Sequence, residues 1–105
     1  MTVYVDNMRA KYGRLVLCHM IADTEVELHA MADKIGVSRR WCQGDHYDIA
    51  LSKRALAVNL GAQEITWRQA GLMVANRKAT GELGDPETAH EVYMARRRQR
   101  LEHAE

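Results

Sequence analysis

Apolar positions along the chain follow two periods, and the switches between them mark the elements. In "TVYVD", Thr2 to Asp6, β-branched and aromatic residues predict a strand. The polar connector "NMRAKYGR" leads into "LVLCHMIA", Leu15 to Ala22, an almost unbroken apolar run that predicts a buried strand. The period then changes. In "DTEVELHAMADKIG", Leu28, Met31, Ala32 and Ile35 fall at helical spacing, Thr24 and Glu27 match a capping box, and Gly36 supplies the stop.

"VSRRWCQ" returns to extended chain. "QGDHYDIALSKRA", Gln43 to Ala55, reads as a loop that feeds a second helix over roughly Ser52 to Leu60, ended by Gly61. "AQEITW" predicts a short strand and "RQAGLMVANRKA" a third helix. Two successive strand–helix–strand units between Leu15 and Trp67 imply parallel strands joined by right-handed crossovers. The expected fold is therefore α/β, a small, mostly parallel sheet of about four strands with three helices, plus a C-terminal helical extension. The turn-rich "TGELGDP" separates an α/β core domain, residues 1–80, from a connector and C-terminal helix, residues 81–105. In that last segment Val92, Tyr93 and Leu101 are the main apolar residues, a thin stripe suited to packing across a two-fold axis, so a homodimer is expected.

Composition narrows the class. With 105 residues, 47% of them hydrophobic, the chain fills one modest core without covalent staples. Cys18 and Cys42 form no close-spaced pair and read as free thiols of a reducing compartment. No apolar run approaches the roughly 18 residues that span a bilayer, and the N-terminus lacks the layout of a signal peptide. A cytoplasmic protein with no membrane partner is expected. The net charge is +1. Residues 1–80 carry eleven Lys/Arg against eight Asp/Glu, and residues 81–105 carry four against six. That balance is too weak for a surface that grips duplex nucleic acid.

Chemistry-bearing residues gather at the ends of the predicted strands, where parallel sheets bind ligands: Asp6, then His19 and Asp23, then Asp45 to Asp48, then Thr66 to Arg68; if the eight-residue connector closes an antiparallel hairpin, the first strand is reversed and Asp6 sits at the opposite edge. His46 and Asp48, two apart, share a side of an extended segment with Tyr47 turned away, and form the candidate catalytic pair unless Asp48 simply caps the next helix. With Ser52 as N-cap, Lys53 and Arg54 occupy a first helical turn, where the dipole disfavours each cation by roughly 0.3–1 kcal/mol; a bound anion reverses that sign. Trp41, Tyr47 and Trp67 adjoin Arg40, His46 and Arg68, so flat faces beside cations are available to stack a base and hold its phosphate. Core packing is the plainer account of the tryptophans.

Arg40, Trp41, His46, Tyr47, Asp48, Lys53, Arg54 and Arg68 are thus the expected binding set for a phosphate-bearing small molecule, above all a nucleotide, with no cofactor needed. The alternative is a divalent metal on Asp6, His19, Asp23 and His46, with Asp48 to complete the site and Cys18 or Cys42 as sulfur donors. It would serve a phosphohydrolase or nuclease in which His46 shuttles a proton. No C-x-x-C, H-E-x-x-H, Gly-rich phosphate loop or G-x-S-x-G elbow occurs. A third function, an interaction module acting on a host factor, needs no ligand at all. Between binding and catalysis the residues leave both open.

Five segments together, "VYVDNMRAKYGR", "CHMIADTEVELHAMADKIGV", "RRWCQGDHYDI", "KRALAVNLGA" and "EITWR", resemble a family of short proteins from tailed phages and some bacteria whose domain has no assigned function. The likeness runs from Thr2 to about Ala79, and the H-Y-D segment followed by K-R-A-L-A is its most specific part. It implies a phage or prophage setting, a soluble intracellular domain and, for the bound nucleotide, a sequestering or modulating role, and it assigns no residue a role.

Overall fold

The computed structural model describes residues 2–104. Five strands form one sheet: β1 (Val3–Val5), β2 (Ala10–Tyr12), β3 (Leu15–Ala22), β4 (Tyr47–Ala50) and β5 (Gln63–Glu64). Four α-helices accompany them: α1 (Glu25–Ile35), α2 (Leu51–Asn59), α3 (Trp67–Thr80) and α4 (Ala89–Glu102), with a 3-10 turn at Arg39–Trp41. The chain divides into two compact units, Met1–Trp67 and Arg68–Glu105.

In the first unit α1 forms where the apolar period calls for it. Thr24 Oγ1 accepts the Glu27 amide at 3.2 Å and donates to Glu27 Oε1 at 2.8 Å, so one orphan donor of the first turn is satisfied. Gly36 ends the helix at φ +76°, a left-handed conformation that a side chain would strain. Leu28, Met31, Ala32 and Ile35 face the sheet and pack with Val3, Val5, Cys18, Met20, Tyr47 and Ile49. Each large apolar side chain removed from water contributes roughly 1.5–3 kcal/mol, so this layer is the main source of stability in the unit.

The α/β class is as expected, but the sheet is mixed rather than mostly parallel, with five strands rather than about four. Helices exceed the three expected beside the sheet, with four α-helices and the 3-10 turn. β3 pairs antiparallel with β1, β2 and β4, and only β1 with β5 runs parallel. A parallel pair requires a crossover, but a helix between two strands does not require a parallel pair. After α1 the chain makes the 3-10 turn and then a tight reversal, in which the Gln43 amide donates to the His46 carbonyl at 2.8 Å and Gly44 takes φ +85°. It re-enters the sheet against the direction of β3. "YDIA" is accordingly a strand, not a loop, and the connector "NMRAKYGR" contains β2.

In the second unit Ala70, Met73, Leu83 and Ala89 are buried. Asn76 Nδ2 donates to the Glu82 carbonyl at 2.9 Å and Gln69 Nε2 to the Pro86 carbonyl at 3.3 Å, fixing the turn before α4. Val92 and Leu101 on α4 are exposed. Among the described residues no helix is long and apolar enough to cross a membrane.

Candidate metal centre

The site begins with an irregularity in the ladder. Val5 is opposite Met20 and Ala10 opposite Leu17, so Asp6 to Arg9 stand against Cys18 and His19 alone. The surplus residues bulge. At the break the Asp6 side chain takes over the ladder's work: its Oδ1 accepts the His19 amide at 2.8 Å and the Met8 amide at 3.2 Å. Its Oδ2 then lies 2.7 Å from His19 Nδ1. Asp6 is fully buried. Burial pushes its carboxyl up, but the hydrogen bonds from the His19 ring and amide and the adjacent imidazole charge outweigh this and hold it below its ordinary value. Arg54 of α2 braces the same point, donating to the Asp6 carbonyl at 2.9 Å and to Glu64 Oε1 at 2.9 Å.

Across the ladder from His19 stands Asp48. Antiparallel pairing and the two-residue pleat put His19, Asp48 and the preceding His46 on one side, while Cys18, Tyr47 and Ile49 enter the core. His46 Nδ1 lies 2.7 Å from Asp45 Oδ1, as His19 Nδ1 does from Asp6. Asp48 Oδ2 accepts from Gln43 Nε2 at 2.7 Å. Each of the three side chains is therefore held from behind by a neighbour.

What the three present to one another decides the chemistry. His19 Nε2 is 3.7 Å and His46 Nε2 is 3.6 Å from Asp48 Oδ1, and the three ligand atoms all lie within 4.8 Å of one another. With each Nδ1–H donated to a carboxylate, both Nε2 atoms carry lone pairs. Asp48 Oδ1 is shielded from solvent and has no hydrogen-bond partner among the described residues. Three electron-rich atoms thus face a common point, where a cation is the stabilising occupant. Bonds of ~2.0–2.2 Å to a tetrahedral zinc ion would place such atoms roughly 3.3 Å apart, a contraction of a few tenths of an ångström for the two contacts to Asp48. A proton is the competing occupant: the hydrogen bond to Asp6, opposed by burial and reinforced by the charges of Asp6, Asp48 and Asp45, raises the His19 pKa.

The remaining sequence candidates lie elsewhere or are otherwise engaged. Asp23 Oδ2 accepts the Thr2 amide at 2.9 Å; it is four residues beyond His19, some 13 Å along an extended chain. Cys18 points into the core, where burial and the nearby Asp6 charge push its thiol up to about 11. Tyr47 is fully buried and its hydroxyl lies 2.6 Å from His29 Nδ1, leaving no face for a base. The α2 N-cap is Ala50, with no side-chain cap bond, rather than Ser52 or Asp48. Arg54 is committed to Asp6 and Glu64. Lys53 borders a cavity with Trp41, and the Arg40 guanidinium lies 5.1 Å from the Trp41 ring centre. Arg68 opens the second unit. The supporting role of Gln43 carried no signal in the sequence, because it depends on the reversal that follows the 3-10 turn.

A family model described as a protein of unknown function, DUF4031, matches residues 3–77. The chain belongs to this family. The match takes in all the residues of the centre, from Asp6 to Asp48, together with Arg54 and Glu64. No curated protein and no solved structure matches the chain.

Proposed function

We propose that His19, His46 and Asp48 bind one divalent metal ion, zinc in the first instance, and that the centre hydrolyses phosphate esters. The observation that carries this is the shielded, unpartnered Asp48 Oδ1 facing two imidazole nitrogens whose other nitrogens are each tied to a carboxylate. Two imidazoles and one carboxylate with open positions form a ligand set typical of catalytic rather than structural metals. A bound ion supplies a water of lowered pKa and neutralises charge on a phosphoryl oxygen. The chain supplies orientation. Asp6 and Asp45 hold the two imidazoles in the Nδ1–H tautomer, Gln43 sets the Asp48 rotamer, and Arg54 anchors the bulge that carries Asp6. In hydrolysis, water oxygen bonds to phosphorus, the ester P–O bond breaks, and the alcohol leaves with a proton. With both ring nitrogens engaged, His46 acts here as a ligand rather than a proton shuttle.

Calorimetric titration of the chelator-treated chain with zinc at neutral pH tests the centre. We expect one ion per chain and a loss of affinity of at least about 100-fold in His19→Ala, His46→Ala and Asp48→Ala, with release of bis(p-nitrophenyl) phosphate hydrolysis products only by the loaded parent. Failure to bind zinc, manganese or iron(II) at micromolar concentrations, or binding untouched by all three substitutions, overturns it. The exposure of Val92 and Leu101 on α4 supports a separate proposal, the homodimer; light scattering of the full chain against a chain ending at Gly84 tests that.

A further inference from the structure

Asp48 and Gln43 have a second surface. Besides forming and supporting the metal centre, they belong to the wall of a cavity of about 340 Å³. Its other lining is largely apolar, from the β2–β3 hairpin, the segment after α1, and β4. Three large side chains around it, Tyr12, Leu15 and Trp41, are 60%, 50% and 45% exposed. Single exposed apolar residues need no explanation, but a cluster of them around one concavity marks a surface that something covers.

We infer that this cavity holds the aromatic ring of the substrate, an aryl or nucleoside phosphoester whose phosphate reaches the metal; the inference rests on the metal centre proposed above. Trp41 offers a ring in the cavity wall, and the Arg40 guanidinium, 5.1 Å from its centre, covers one face only. The only cation in the lining is Lys53, and among the described residues it makes no ion pair. Its amine stands 3.4 Å from where a Cβ on Gly36 would lie, at the C-terminal end of α1, whose dipole favours a cation there. The lining therefore combines apolar walls, one amine, and one carboxylate that also faces the metal ligands. An apolar ring bearing a single anionic group complements that set, and a neutral apolar ligand would leave the amine unanswered. The volume is at the low end for small-molecule sites, enough for one ring system with its phosphate and too small for a polynucleotide.

Titration calorimetry on the full chain, zinc-loaded and in chelator, with phenylphosphonate, whose C–P bond ester hydrolysis leaves intact, inorganic phosphate and phenol tests this. Phenylphosphonate should bind the loaded chain about tenfold more tightly than either of the others, the scale expected of one stacked ring. Trp41→Ala should erase its advantage over inorganic phosphate, and in chelator Lys53→Gln should erase its advantage over phenol. Zinc affinity should stay at the parent value in both variants, and far-UV circular dichroism should show them folded. In chelator the same order of ligands should persist at lower affinity, so the cavity is judged even if zinc fails to bind. Equal affinity for phenylphosphonate and inorganic phosphate, or binding indifferent to Trp41→Ala, overturns the inference while leaving the metal centre standing. Self-association of the full chain that Trp41→Ala abolishes also overturns it, by giving the cavity to a second copy.

Discussion

Cys18 and His19 are neighbours on β3, yet they belong to surfaces built on opposite terms. On the Cys18 side Met20, Ala22, Tyr47 and Ile49 pack against α1, and nothing ionises: burial pushes the Cys18 thiol up to about 11. On the His19 side three carboxylates and two imidazoles crowd together, and one carboxylate oxygen is left facing two lone pairs. The first surface is stable by itself. The second leaves an electrostatic demand that a proton or, on the function proposed above, a metal ion would relieve. One pleat separates the two, so the strand that anchors the core also aims the ligands, and the site inherits the rigidity of the fold.

Substitutions on the two sides should therefore differ in kind. Met20→Ala removes a fully buried side chain from the core face and should cost about 2–5 kcal/mol in chemical denaturation, with zinc affinity per folded molecule little changed. A small stability loss would show that the core face is not the stabilising one. Asp6→Asn acts on the other side. Its amide no longer pairs properly with His19 Nδ1, and metal affinity should fall by about 10–100-fold. Unchanged affinity would remove Asp6 from its orienting role.

The metal-free chain should also report this pair through pH. The folded His19 pKa is raised by its bond to Asp6, so its contribution is complete below the ordinary value of 6.5 and disappears as pH rises through the folded pKa. The folded Asp6 pKa is lowered, so its contribution is complete above 3.8 and is lost as pH falls through the folded value. The pair should stabilise most between those two limits. Asp6→Asn should flatten the decline on the alkaline side, measured as denaturation midpoints across pH, and a decline that persists unchanged in that variant assigns it to other groups. The smallest effect is expected of Thr24→Ala. Loss of the α1 cap should cost about 1 kcal/mol, with no change in zinc affinity, since Thr24 touches neither side of the comparison.

Local signals were legible in the sequence. The Thr24–Glu27 box, the 3.6-residue spacing of Leu28 to Ile35 and the Gly36 stop each act within a turn or two of chain, so the sequence alone determined α1, and the apolar run determined β3 from Leu15 to Ala22. The spacing of His46 and Asp48 likewise sufficed to put them on one side of an extended segment. Strand direction stayed open for β1 and was misjudged for β4, because it is set by the partner across the ladder rather than by neighbours in the chain. The short β2 was hidden in a polar connector that gains strand geometry only by pairing with Leu15 to Leu17. The centre depends on both. Only antiparallel pairing sets His19 against Asp48, and only the bulge opposite Cys18 and His19 brings Asp6 onto the His19 amide and ring. Side-chain chemistry was written locally; which side chains meet was decided by hydrogen bonds between segments far apart in the chain.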